Sequence, residues 1–299
     1  MIHKHSTLGW GVSDESGSEI WDAKPVFAHD RASLSDRLKL LFYPKKFFLY
    51  RHIAKARRRA GVNLQKPFRV LDVGCGTGAA LVDLKRLFGR SVDVVGIEVV
   101  RMEVDIARER LVQNGVVGEI EWFEGTHIPF PDASFDAVYS SDVLGHVQNV
   151  PAWLSEMHRV TKPGGVLAMF AESKLGRHAW MRNYLYKRGL NIDPHAEFHI
   201  SLYSKATLQE LLERSGFHIQ TMMSAFWASF LVHPDEFYEK LQAQKKFPIL
   251  RAVNKMLFII KKKTHPFSTA AAELYGLLEM MLVGRWIEAQ GYIILAKKK

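Results

Sequence analysis

Arg69-Val70-Leu71-Asp72-Val73-Gly74-Cys75-Gly76-Thr77-Gly78 constrains the fold of this chain more than any other stretch. An apolar run meets one acid and three alternating glycines, and a helical pattern begins at Ala79. A short apolar run bounded by glycine reads as a buried parallel strand entering a tight turn. Glycine lets the backbone turn sharply and approach a ligand with no Cβ in the way. The following helix offers free N–H groups and the positive end of its dipole to an anionic group. This is a nucleotide-type corner that does not name its nucleotide. Gly74-x-Gly76-x-x-Ala79 also satisfies the loose dinucleotide fingerprint, with Glu98 near where an acid would hold a ribose hydroxyl.

The 299 residues allow one large domain with insertions or two modest ones. Cys75 is the single cysteine, so no internal disulfide forms and an oxidising compartment is not indicated. Its place inside the turn reads as a small residue beside a ligand rather than a nucleophile. Met1 to His5 lack the apolar region of a secretory signal, and no apolar run reaches the roughly 18–20 residues of a membrane span. A cytoplasmic location is expected. The formal net charge is +10, from 41 Lys and Arg against 31 Asp and Glu, which favours polyanionic partners or an anionic membrane surface. Much of the excess lies in Arg57 to Arg59, Lys261 to Lys263 and Lys297 to Lys299.

Residues 1 to about 30 carry no clear period and read as irregular. Helical spacing runs from Ser33 to Ala60, and Pro44 should split it into two helices. The second carries Lys45, Lys46, Arg51, Lys55 and Arg57 to Arg59 beside an aromatic side. Such a helix can pack as a lid, lie on a membrane or grip a phosphate-bearing substrate. Beyond the corner, a helix over Ala79 to Phe88 leads to a strand from Ser91 to Ile97 that ends in Glu98. A carboxylate there can accept both ribose hydroxyls of an adenosine. A helix from Arg101 to Gln113, a strand from Glu119 to Phe123, and the loop from Glu124 to Phe130 follow, with Glu124 placed to meet an exocyclic amine. A strand over Phe135 to Ser140, a helix from Ala152 to Val160, a turn at Lys162 to Gly165 and a strand from Val166 to Phe170 complete the cadence. It predicts a doubly wound, mostly parallel sheet with ligands at the carboxyl ends of its strands.

Val70 to Gly78, then Gly96-Ile97-Glu98, Pro129-Phe130 with Phe135-Asp136, and Arg159-Val160-x-x-Pro163-Gly164-Gly165 stand in the order of class I S-adenosylmethionine-dependent methyltransferases. The chain resembles that family from about Phe68 to Glu172. The resemblance resumes at His199 to Phe217 and at Gly291 to Lys297, which look like its sixth strand region and its last, antiparallel strand. It implies a seven-stranded sheet with S-adenosyl-L-methionine as cofactor. Asp72 and the backbone of Gly74, Cys75, Gly76, Thr77 and Gly78 would hold the cofactor's amino acid end. Glu98 would hold the ribose, Val99 would flank the adenine, and Glu124, where aspartate is commoner, would meet the adenine amine. Ser140 and Ser141 would lie near the sulfonium, and His146 would face the acceptor.

No Asn/Asp-Pro-Pro-aromatic motif follows the fourth strand and no Pro-Cys nucleophile is present, which disfavours a nucleic-acid base as acceptor. The expected division is residues 1–61 as an extension with lid helices, 62–225 as the core with an insertion at 174–198, 226–285 as a helical cap, and 286–299 as the last strand. The cap is rich in Phe, Met and Lys; residues 45–59 and 245–263 are the candidates for peripheral membrane contact. His195-x-x-x-His199 has the spacing of a metal pair, but Pro194 and the lack of a third ligand argue against a metal. The leading expectation is methyl transfer to a small or lipid-linked acceptor at oxygen or carbon, with His146 as general base and His199 and Tyr203 in reserve. An RNA-directed enzyme or RNA-binding module, and a nicotinamide oxidoreductase, are the alternatives.

Overall fold

Seven strands form one sheet: β1 (Phe68–Val73), β2 (Val92–Glu98), β3 (Glu119–Trp122), β4 (Phe135–Ser141), β5 (Thr161–Ala171), β6 (Phe217–Met223) and β7 (Tyr292–Lys298). Their order is β3-β2-β1-β4-β5-β7-β6, and only β7 runs antiparallel to its neighbours. The computed structural model describes residues 23–29, 32–61, 64–193, 196 and 198–299. Three paired two-residue strands, His3–Lys4, Val12–Ser13 and Glu19–Ile20, precede them. Most of the stretch read as irregular, and Pro194 and His195, lie outside the described residues.

The sheet is parallel at its centre because crossover helices cover both faces. Val70, Leu71 and Val73 of β1 are wholly buried, as are Val92 and Ile97 of β2. Each such side chain contributes about 1.5–3 kcal/mol relative to exposure. Helices α1 (Leu34–Lys39) and α2 (Pro44–Ala60) precede the sheet, and Pro44 opens the second at the position where a missing N–H costs nothing. The crossovers carry α3 (Ala79–Phe88), α4 (Arg101–Gln113) and α5 (Val150–Val160). Between β5 and β6 lie α6 (Trp180–Tyr186) and α7 (Lys205–Arg214). Between β6 and β7 stand α8 (Ser229–Val232), α9 (Pro234–Gln242), α10 (Pro248–Thr264) and α11 (Phe267–Leu282), the last two long and helical throughout.

Two of the boundaries that differ from the sequence reading have a visible cause. The Lys162 to Gly165 turn belongs to β5 as a bulge. Phe135 pairs with Thr161 but Ala137 with Val166, so the extra residues bow out around Gly164 at φ +76°. The third strand stops at Trp122, since Phe123 is already turning into the loop.

α2 settles on the sheet rather than standing free. It buries Leu49, Tyr50 and Ile53 and leaves Arg51, Lys55, Arg58 and Arg59 outward. Asp83 on α3, fully buried, gathers four donors: the Val26 and Phe27 amides at 2.7 and 3.2 Å, Lys46 Nζ at 2.7 Å and Tyr50 Oη at 3.2 Å. One carboxylate thereby joins residues 26–27, α2 and α3.

Candidate active site

A cavity of about 1980 Å³ opens at the carboxyl ends of the strands and runs from the glycine corner to the helices between β6 and β7. The corner has the geometry that its glycines require. Gly74 sits at φ +73°, and a Cβ there would lie 2.4 Å from Val143 Cγ2, so the loop after β4 rests directly on it. Gly78, at φ +82°, caps α3 and lets it approach Ala107 of α4; it is not on the cavity wall. Gly76 donates its N–H to Glu98 Oε2 at 2.9 Å, and the amides of Val99 and Val100 donate to Oε1 at 2.7 and 3.2 Å. Glu98 therefore fixes the loop from one strand over.

Burial outweighs those three donors and pushes the Glu98 carboxyl up. Asp72, 2% exposed, is pushed well above the carboxylate range by burial and by Glu98, and its Oδ1 is buried with no partner. A buried acceptor without a donor costs on the order of 1–3 kcal/mol, and an ammonium group on a ligand would satisfy it. Burial, with Asp72, Glu98 and Glu103 around it, drives the Cys75 thiol far up, so it stays a thiol. Thr77 takes a 2.6 Å hydrogen bond from Arg110, which also donates to the Ala23 carbonyl at 2.5 Å, tying the amino-terminal strap to the corner.

Val99 and Glu124 stand on the same wall. Glu124 Oε1 accepts from Thr126 Oγ1 at 2.7 Å and from the His127 amide at 2.9 Å, which holds its carboxyl at about 2 and leaves the second oxygen for a ligand. Ser141 lines the cavity and donates to Asp142 Oδ2 at 2.7 Å. Ser140 does not reach the cavity: it is wholly buried, and its hydroxyl donates to the Val73 carbonyl at 2.8 Å, tying β4 to β1. The structure thus brings most of the residues named from sequence to one wall, but turns Ser140 and Gly78 to holding the fold.

The far end of the cavity holds His146 and His199, named from sequence, beside groups that the sequence reading missed. Asp142 has φ +63°, a left-handed conformation that a non-glycine residue adopts at a cost of order 1–3 kcal/mol. Lys45 from α2 reaches it at 2.5 Å. Lys45 and the hydroxyl of Ser141 hold the Asp142 carboxyl below the usual range against burial. Glu172, the first residue past β5, is pushed up to about 8 by burial and by Asp142. Its Oε2 is buried without a partner. His146 lies in the turn after β4, its ring centroid 5.2 Å from that of His199. His199 Nδ1 is 2.9 Å from Asp193 Oδ2, the arrangement that orients an imidazole. Deeper still, His233 is buried, with its Nε2 unpartnered and its pKa lowered by burial. Glu273 is raised to about 7, chiefly by burial.

Of these, Glu172 was the most accessible to sequence reasoning, because ligands gather just past the carboxyl ends of parallel strands. Lys45 was not, since 97 residues separate it from its partner. Among the described residues no group of three His, Cys, Asp or Glu side chains is arranged to hold a metal ion.

A glycine corner with an acid one strand over, a loop that closes on the corner after the fourth strand, and an antiparallel last strand define a nucleotide-binding α/β transferase architecture. The chain belongs to a methyltransferase-domain family, whose model matches residues 46–221. It is 34% identical over 121 residues to the ubiquinone/menaquinone biosynthesis C-methyltransferase UbiE of Burkholderia orbicola, covering 40% of this chain and 50% of that one. Sterol 24-C-methyltransferase erg-4 of Neurospora crassa is 30% identical over 113 residues, 37% of this chain and 29% of its own. Phosphoethanolamine N-methyltransferase 1 of Arabidopsis thaliana is 32% identical over 133 residues, 44% and 27%. The chain spans about half or less of the length of these curated relatives. Among solved structures, a Galdieria sulphuraria protein assigned as a sarcosine dimethylglycine methyltransferase superposes with a TM-score of 0.53 over 88% of each chain at 20% identity, which shows a shared fold.

Proposed function

We propose that this chain transfers a methyl group from S-adenosyl-L-methionine to a small or lipid-linked acceptor, at oxygen or carbon. The observation that carries the reading is the unpartnered Oδ1 of Asp72, buried under a glycine loop whose geometry Glu98 fixes. Asp72 and the corner fit a ligand with an ammonium group, Glu98 and Val99 a ribose and an adenine, and Glu124 an exocyclic amine. When bound, the cofactor supplies an electrophilic methyl group, so the chain has mainly to align the acceptor. Alignment alone can account for about 7–11 kcal/mol of such a barrier. His146, at the opposite wall, takes the acceptor's proton, with His199 and its Asp193 partner behind it. Among the relatives, two are named for methylation at carbon and one at nitrogen.

The lipid-linked form of the reading is supported by α10, which exposes Ile249, Met256, Ile259 and Ile260 beside Lys255, Lys262 and Lys263. An apolar stripe flanked by lysines suits an anionic bilayer surface. α2 contributes charge but no apolar face, having spent that face on the sheet. Among the described residues no helix is long and apolar enough to cross a membrane.

Calorimetry with S-adenosylmethionine, its demethylated product S-adenosylhomocysteine and NAD tests the first reading. The first two should bind and NAD should not, and Glu98→Ala should cost roughly 1–3 kcal/mol of affinity. No heat with either adenosyl ligand would overturn it. Flotation with vesicles containing anionic lipid tests the second; protein that stays at the bottom of the gradient removes the membrane.

A further inference from the structure

Resting on the methyl-transfer reading, we infer that Glu172 is the proton store of the site, losing its proton when the positively charged donor binds beside Asp142 and regaining one, from the acceptor, when that charge is spent.

The geometry comes first. Asp142 and Glu172 are two carboxyls on one cavity wall with a single amine, Lys45, against them. Lys45 binds both oxygens of Asp142, at 2.8 and 2.5 Å, so one negative charge in the pair is already matched. The second carboxyl has no cation in contact with it and keeps its proton, hydrogen-bonded to Asp142. Glu172 is faced by Asp142 from the loop after β4, by Lys45 from α2, and by His199 from the loop preceding α7, with His146 beyond. Lys240 on α9 is committed to the Asp193 carbonyl and cannot serve it. Glycine at 145 lets both groups pack close to the backbone: a Cβ there would sit 2.8 Å from His199 Cδ2 and 3.5 Å from Glu172 Oε2. The imidazole and the carboxyl therefore lie side by side against Gly145, and Oε2 makes no hydrogen bond.

The donor's seat is tied to this pair through the chain. Val143 rests on Gly74, so a ligand lying over the glycine loop reaches Ser141 and Asp142 next. A sulfonium there supplies the cation that Glu172 lacks, and the carboxyl ionises. In the reaction the acceptor's lone pair forms the new bond to carbon, and the carbon–sulfur pair returns to sulfur as a neutral sulfide. The acceptor's proton, taken first by His146, passes on to the Glu172 carboxylate. Charge is conserved: one cation and one carboxylate become a sulfide and a carboxylic acid. Removing the cation is itself what raises the affinity of Glu172 for that proton, so the base strengthens as it is needed.

S-Adenosylmethionine and S-adenosylhomocysteine share their amino, carboxyl and adenosyl groups and differ in the sulfonium. Calorimetry of each with the full chain at pH 7, in phosphate and in Tris, measures the protons released. The sulfonium ligand should release roughly half to one proton more than the sulfide, and Glu172→Gln should abolish the difference. A second readout needs no variant: the affinity ratio of sulfonium over sulfide should rise by tenfold or more from pH 6 to pH 9. Equal proton release by two ligands that both bind, a flat ratio, or a folded Glu172→Gln protein that keeps the difference would each overturn the inference while leaving methyl transfer standing. If neither ligand binds, the reading beneath it falls, and the inference with it.

Discussion

Two pairs of carboxyls face the same cavity, Asp72 and Glu98 buried, Asp142 and Glu172 only partly so, and they are tuned differently. Beside the glycine corner, burial pushes both Asp72 and Glu98 up, and Lys46 opposes it only weakly, at Asp72. On the acceptor side Lys45 touches one member, and the pair splits: Asp142 goes down and Glu172 up. A single amine at contact distance separates a pair that lacks a cation from one that already holds one. The first pair is completed by whatever cation a ligand brings to Asp72. The second is poised, with one charge fixed and one proton exchangeable. On the proposed reading, recognition at one end and proton handling at the other use the same residue types.

Filling the corner gives the largest effect. Gly74→Val forces a side chain at φ +73° onto Val143, 2.4 Å away, and should cost about 2–4 kcal/mol of stability together with adenosyl binding. Thermal melting and calorimetry check it; a variant that melts and binds like the parent would show that the loop after β4 is not seated there. Asp72→Asn keeps the shape and removes the charge. It should weaken S-adenosylmethionine by roughly 10–100-fold, and if affinity is unchanged the two pairs do not differ in what they await.

Glu172→Gln should act on stability through pH. The carboxyl keeps its proton to about pH 8 in the folded chain but releases it near 4.5 when unfolded. The folded state binds the extra proton across that window, so this contribution to stability falls as pH rises through it. Urea unfolding should find variant and parent alike at pH 5 and the variant more stable, by more than about 1 kcal/mol, at pH 8.5. Equal stability at both values would show that Glu172 is not held protonated in the folded chain, and the contrast within the second pair would be lost. Smallest is Gly145→Ala, whose methyl would press on His199 Cδ2 at 2.8 Å. It should cost about 1 kcal/mol of stability while lowering turnover, once an acceptor is in hand, without weakening the cofactor.

The same contrast explains what the sequence disclosed. The donor side is contiguous: Asp72 to Gly78 lie on one strand and turn, and Glu98 ends the next strand, so spacing and strand ends reveal them. The sheet was legible for the same reason, as its central strands β1, β2 and β4 are mostly apolar runs, each followed by a helix. The acceptor side is assembled across the chain, from Lys45 on α2 to His233 on the loop before α9. No local period announces such convergence. Ser140 shows the opposite error: strand alternation sends it to the sheet interior, one residue short of the cavity, and its neighbour Ser141 takes the wall instead.

Asp83 bears on traffic. Four donors from two parts of the chain end on this one oxygen pair, two of them amides of the strap that borders the glycine corner. Swinging the strap aside would strip a wholly buried anion of half its donors, a step costing several kcal/mol before any ligand moved. That flank of the cavity is therefore pinned shut, while the opposite flank is walled by α9 to α11, which carry no such anchor to the glycine corner among the described residues.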